Sequence, residues 1–289
     1  MGLSKSMFTG DDKQKGLTLI ELMVATLVFV TAVGVLMSIL ARNEEARETS
    51  YYVLESRQSA RSALEFMVSE IRMAGSGFIA SVVTSDAAGD SVILHPVNPE
   101  LVGGNPEKIT VLGKFTDLET TLDAPMPGAS TAIKVASLNG FEVGDLVVVR
   151  SGMAANLFEV TGISYSTGQL LHDLTSPYNW PGGHRPWPPG GYDSGSQVFK
   201  ANLVTYYVDR SDASRTVVMR QDGSQPPRVI GDHIDLLEMQ YELQDKTAVA
   251  MPVDPSLIRQ VTVTIEASSD EPSKRHVTRL VSAAKPRCL

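Results

Sequence analysis

Twenty consecutive residues from Leu22 to Ala41, LMVATLVFVTAVGVLMSILA, carry no charge. A helix needs about 20 apolar residues to cross a hydrocarbon core of about 30 Å, so this run reads as a membrane span. The stretch that follows, RNEEARETSYYVLESRQSARSALEFMVSEIRMAG, has no proline, has no glycine before Gly75, and is rich in Ala, Leu, Glu and Arg. These are good helix formers, and the helix is expected to continue past the span. Val53, Ala60, Ala63, Leu64, Met67, Val68 and Ile71 recur at three- and four-residue spacing, while Glu55, Arg57, Arg61, Glu65, Glu70 and Arg72 lie largely off that stripe. Such a pattern predicts one helix face packed on a globular head. Leu17 to Ala74 is 58 residues, about 87 Å at about 1.5 Å per residue, so the N-terminal half is expected to protrude from the head. Gly75 and Gly77 suit helix termination in left-handed geometry.

Beyond the helix the pattern changes to short β-rich runs punctuated by Gly, Pro and Asn, which predicts antiparallel sheet rather than repeated β-α-β units. The runs are SVILH from Ser91, KITVL from Lys108, AIKVA from Ala132, DLVVVR from Asp145, LFEVTGI from Leu157, VTYYVDR from Val204 and TVVMR from Thr216. IDLLEMQYEL from Ile234, IRQVTVTIEA from Ile258 and HVTRLVSA from His276 complete them. The expected class is α+β: a long N-terminal helix, transmembrane then amphipathic, packed on an antiparallel sheet. The divisions are a leader at 1–16, a transmembrane half-helix at 17–41, an amphipathic half at 42–75 and a β-rich head at 76–289, with an insertion at about 113–200.

The leader MGLSKSMFTGDDKQKG is polar and carries Lys5, Lys13 and Lys15. Basic residues before a first span favour retaining that end in the cytoplasm, although Arg42 and Arg47 beyond the span weaken the asymmetry. A secretory signal also joins a basic leader to an apolar run. Against it stand the length of the leader, an apolar run longer than the usual 7–15 residues, and no A-x-A closing the run, although V-x-A occurs at Val30 to Ala32. Glu21 places a carboxylate at the start of the apolar run, where it either meets water at the headgroups or needs a partner.

The segment Lys15-Gly16-Leu17-Thr18-Leu19-Ile20-Glu21-Leu22 resembles the class III signal of type IV prepilins. That resemblance implies cleavage after Gly16 by a prepilin peptidase, N-methylation of Leu17, and a subunit-assembly role for Glu21, the fifth mature residue. Leu17 departs from the commoner phenylalanine. A positive amine at Leu17 of one chain could neutralise Glu21 of another inside a low-dielectric filament core. RQSARSALEFMVSEIRMAG, the Gly144-Asp145 pair and the order of the last strands resemble PilW-type minor pilins and the related J-type minor pseudopilins. The function so implied is a minor pilin that initiates or caps a type IV pilus. Its partners are other minor pilins, the major pilin, an inner-membrane assembly platform and membrane lipid. A type II secretion pseudopilin and a pilus-tip adhesin are the alternatives. The expected location is the bacterial cytoplasmic membrane, single-pass with the head in the periplasm, then the filament at the cell surface.

Composition leaves this picture standing. With 43% hydrophobic and 20% charged residues the chain is ordinary for a globular protein. The formal charge of -8 and the lack of a Lys/Arg block argue against direct nucleic-acid binding. The single cysteine, Cys288, excludes an intrachain disulfide. His95, His172, His184, His233 and His276 show no H-E-x-x-H spacing, and no G-x-S-x-G elbow occurs, so neither an enzyme nor a cofactor is expected. Asp209, Asp212 and Asp222 flank a predicted hairpin, where carboxylates serve turns more often than calcium. Last, SPYNWPGGHRPWPPGGYDSGS, from Ser176 to Ser196, predicts a long, semi-rigid loop. Its aromatics either fold back over the head or form a partner contact through Trp180, Arg185, Trp187 and Tyr192.

Overall fold

The computed structural model describes residues 18–77, 82–85, 91–173, 176–179, 187–212, 215–268 and 276–287. The leader, Gly16, Leu17, Trp180, Arg185 and Cys288 lie outside the described residues. The chain divides into two compact units, Met1–Tyr51 and Tyr52–Leu289. The helix α1, Leu19–Met73, contributes to both.

In the first unit nearly all described side chains of α1 are exposed, among them Leu19, Leu27 and Phe29 at 78%, 66% and 68%. Its length and composition suffice to cross a membrane. The hydroxyls within the apolar run turn back on their own helix. Thr26 donates to Leu22 O at 3.0 Å and Met23 O at 2.9 Å, Thr31 to Leu27 O at 3.0 Å, and Ser38 to Val35 O at 2.8 Å. Such internal bonding lets a polar side chain sit in an apolar medium without an unpaired donor.

The second unit is β-rich. Its strands are β1 (Val82–Ser85), β2 (Ser91–Leu94), β3 (Val97–Val102), β4 (Asn105–Gly113), β5 (Glu119–Thr121) and β6 (Ile133–Lys134). There follow β7 (Leu146–Ser151), β8 (Ala154–Glu159), β9 (Gly162–Ser164), β10 (Gln169–Leu171), β11 (Gln197–Asp212) and β12 (Arg215–Asp222). The chain closes with β13 (Arg228–Asp232), β14 (Ile234–Leu243), β15 (Ala248–Val249), β16 (Ile258–Ser268) and β17 (Val277–Ala284). Among the described residues all pairings are antiparallel except one bridge between β1 and β8, Val83 with Asn156. The class is therefore α+β, as the sequence predicts.

β11 organises the largest sheet. Its first residues pair with β7 and β5, and from Asn202 onward it pairs with β4 and β12. Burial explains this length: Phe199, Ala201 and Leu203 enter one core cluster, Val198 a second, and Val204, Tyr206 and Val208 the cluster under α1. A separate four-stranded sheet runs β15-β14-β16-β17. Its inward residues Leu237, Met239, Val261, Val263 and Ile265 join Ala60, Ala63, Met67 and Ile71 of α1 in the main core, all of them fully buried. The apolar stripe of the helix thus covers this sheet and the largest one. The second cluster, which includes Leu122, Ile133, Phe141, Phe158, Leu170 and Tyr192, draws all its residues from 122–198. This stretch carries its own core.

Polar groups fasten α1 to the sheet. Glu70, expected off the apolar stripe, is turned inward: it accepts from the phenol of Tyr206 and from Arg220 Nη2 at 2.7 Å. Arg220 also approaches Asp222 at 3.6 Å, and Asp222 accepts from Asn202 Nδ2 at 3.1 Å. Burial, then the nearby Glu70 charge, pushes the Tyr206 phenol above its ordinary pKa. One turn structure ends the helix. Ser76 N donates to Met73 O at 2.9 Å, and Gly75, at φ 76°, donates its N–H to Leu112 O at 2.8 Å. The positive φ favours glycine there, and the bond ties the helix terminus to β4.

Candidate functional site

The first described turn of α1 contains Glu21, the carboxylate marked by the sequence. Thr18 stands before the helix and Glu21 three residues later. The Thr18 N–H and hydroxyl both donate to Glu21 Oε2 at 2.9 Å, and the Glu21 N–H donates to Thr18 Oγ1 at 3.3 Å. The reciprocal bonds form a capping box, which satisfies backbone donors left unpaired at a helix start. Negative charge is also favoured there by the helix dipole. The sequence signal for Thr18 is its spacing, since the pattern Thr18-Leu19-Ile20-Glu21 is the signature of this motif.

The box explains how an acidic side chain is held at one end of an apolar helix. Only Oε2 is used in it, and Oε1 makes no hydrogen bond among the described residues. Glu21 also shares a face of α1 with Ile20, Val24, Ala25, Val28, Phe29 and Ala32. The arrangement presents one oriented carboxylate beside an exposed apolar surface. It can accept a cation delivered by another chain while that chain covers the apolar face. Gly16 and Leu17, the expected cleavage and methylation positions, lie outside the described residues.

The second set of expected contact residues behaves differently. Tyr192 is fully buried, and its phenol donates to Asn156 Oδ1 at 2.6 Å. Burial raises the pKa of that phenol. Trp187 is half-buried, donates from Nε1 to Pro127 O at 3.0 Å, and stands edge-on to Tyr192 with ring centroids 5.1 Å apart. Gly191 makes this tuck possible. It has φ 86°, and a Cβ there would lie 2.5 Å from Met126 O. Tyr192 and Trp187 therefore serve the core of residues 122–198, and Tyr192 offers no surface to a partner. Trp180 and Arg185 lie outside the described residues.

The remaining candidates have local partners. Asp209 accepts from Ser211 N at 2.8 Å, Asp222 is held by Asn202 and Arg220, and Asp212 pairs in register with Arg215. Among the described residues no group of three or more His, Cys, Asp or Glu side chains could hold a metal ion.

Residues 11–40 match the family described as Prokaryotic N-terminal methylation motif. No curated protein and no solved structure matches the chain. The motif is the type IV pilin and pseudopilin signal, and it marks this chain as pilin- or pseudopilin-like. It implies processing by prepilin peptidase and membrane anchoring through α1.

Proposed function

We propose that the chain is a minor pilin of the PilW type, which helps to initiate or cap a type IV pilus. The observation that carries this reading is the methylation motif over residues 11–40 on a chain whose long helix leads into a β-rich head with a second core. Prepilin peptidase cuts after Gly16, and the freed amine of Leu17 is methylated. The head then stands in the periplasm while α1 waits in the cytoplasmic membrane. During assembly Glu21 accepts the N-terminal amine of a neighbouring subunit, and the two charges neutralise each other where lipid or helices exclude water. The head contacts other minor pilins, and the energy for extraction comes from a separate assembly motor. A head with its own inserted core suits a subunit present in few copies.

The same motif serves pseudopilins, so a minor pseudopilin of type II secretion is the second reading. Deleting the gene separates the two: loss of pili with normal export supports the first, and loss of export with normal pili supports the second. The primary test is intact mass with N-terminal sequencing, in cells with and without prepilin peptidase. The expected mature N-terminus is Leu17, bearing one added methyl, and only when the peptidase is present. A chain that retains Met1 to Gly16, or one cut near Ala32, would overturn the assembly reading.

A further inference from the structure

The four-stranded sheet ends on β17, and among the described residues no strand pairs with its outer side. Such an edge leaves a row of backbone N–H and C=O groups open to another strand unless proline, charge or a covering element blocks it. β17, VTRLVSAA, contains no proline and one charged residue, Arg279. Beside it lies an open groove of about 430 Å³, lined by Leu280, Val281 and Ser282 of the strand and by Arg61, Leu64, Glu65, Val68 and Arg72 of α1. The floor is apolar, with Leu64 and Val68 8% and 4% exposed. The margins are basic. Among the described residues Arg61 pairs only with Glu65 across solvent and Arg72 has no ion-pair partner, and Arg57 donates to Thr278 Oγ1 at 3.1 Å. Lys285 and Arg287 follow the strand, with Arg287 N bonded to Ala74 O at 3.0 Å. This concentration of positive charge stands out on a chain of formal charge -8.

We propose that β17 and the adjoining face of α1 receive an extended, acid-bearing segment of a partner subunit, which adds as a fifth strand to this sheet. The inference rests on the assembly reading for the source of the partner. The spacing fits a strand. Arg61 and Arg72 stand eleven residues apart on α1, about 16 Å along a helix, and the first and fifth residues of a strand lie on one face about 13 Å apart, a difference that two long arginine side chains can span. Alternate side chains point the same way. A segment of the form acid-x-apolar-x-acid running along the helix therefore sets its acids against Arg61 and Arg72 and its central apolar side chain on Leu64, Val68 and Leu280. Backbone pairing with β17 supplies the affinity, and the two arginines select the sequence.

The test places a photo-cross-linking amino acid at Val277 or Val281 of the full chain in its own cells, with exposed Val253 as control. Cross-linked peptides are mapped by mass spectrometry. The expected result is that both positions reach one extended segment with that acid pattern in another filament subunit, at sites about four residues apart. The double variant Arg61→Glu/Arg72→Glu should keep its melting temperature and lower the cross-link yield by about 2- to 30-fold, the range for losing two exposed pairs. Cross-links confined to lipid, to a helix or to segments without acids would overturn the proposal, as would a yield indifferent to the charge reversal. Processing at Leu17 is scored in the same cells. Normal processing and filament entry without a cross-link from β17 removes the docking edge alone, whereas a retained leader removes the assembly reading beneath it.

Discussion

Replacing Arg220 by methionine keeps most of the side-chain volume and removes the cation that holds Glu70 of α1 against β12. Glu70 and Arg220 are 13% and 24% exposed as side chains, with their nearest atoms 2.7 Å apart. Removing one partner of a fully buried pair costs about 3–5 kcal/mol, because the other charge is left desolvated. Partial access of water to Arg220 reduces this, and we expect about 2–3 kcal/mol. Tyr206 still donates to Glu70 in the variant, and a phenol cannot supply a compensating charge. For a head of this size the loss corresponds to a fall of about 4–12 °C in Tm. The assay is denaturant and thermal unfolding of the full chain in detergent, followed by near-ultraviolet circular dichroism, with Glu70→Gln and the double variant alongside. The double variant should recover part of the loss, since neither charge then remains unpaired. A cost below about 0.5 kcal/mol for Arg220→Met, the range of an ordinary surface substitution, refutes the clamp. Strict additivity of the two single variants would refute it equally.

Thr18→Ala and Glu21→Gln separate the two roles of the first helical turn. Glutamine retains capping-box geometry without charge, so Glu21→Gln should keep helix content and abolish filament entry, whereas Thr18→Ala should fray the turn and still assemble. Equal loss of assembly in both, read by shearing and immunoblotting filaments, would mean that capping is the need. Tyr192→Phe strands Asn156, whose Nδ2 already lacks a partner among the described residues, and should destabilise the core of residues 122–198 by about 1–3 kcal/mol. Hydrogen exchange should show that loss in β7 and β8 before the sheet under α1. Burial lowers the pKa of His95 from its ordinary 6.5, opposed by the charge of Asp254. The unfolded chain therefore takes up this proton first as pH falls below about 6.5, and stability declines from there down to the lowered value. Melting curves of the native chain and His95→Gln should diverge at neutral pH and converge in acid.

The elements with strong periodicity were legible before any coordinates. The helix expected over 17–75 is α1, Leu19–Met73, and IDLLEMQYEL is β14 without a residue's difference. Short or irregular strands were not. Pro99 hides β3, which pairs with β4 near the sheet's margin, and β5, β10 and β15 have only two or three residues. LFEVTGI was expected as one strand and is split between β8 and β9 at Val160 and Thr161. Periodicity registers neither a brief pairing nor a bend.

Local chemistry was carried by the chain order alone: an uncharged run long enough to span a membrane, a carboxylate at its start, and Thr18 three residues before that carboxylate. These depend on neighbours within one helical turn or one helix, so residue type and spacing suffice. Tertiary structure decided the rest. Glu70 has the same charge as Glu65, yet Glu65 faces solvent beside Arg61 while Glu70 meets Arg220 and Tyr206, residues 150 and 136 positions away. Tyr192 lies in a run of prolines and glycines whose aromatics could either fold back or face a partner, and Gly191 lets it turn into a core assembled from five other strands and loops. Whether such a side chain is a contact, a clamp or a core residue depends on which distant surfaces close around it, and hydrophobic burial settles that only once the whole sheet has formed.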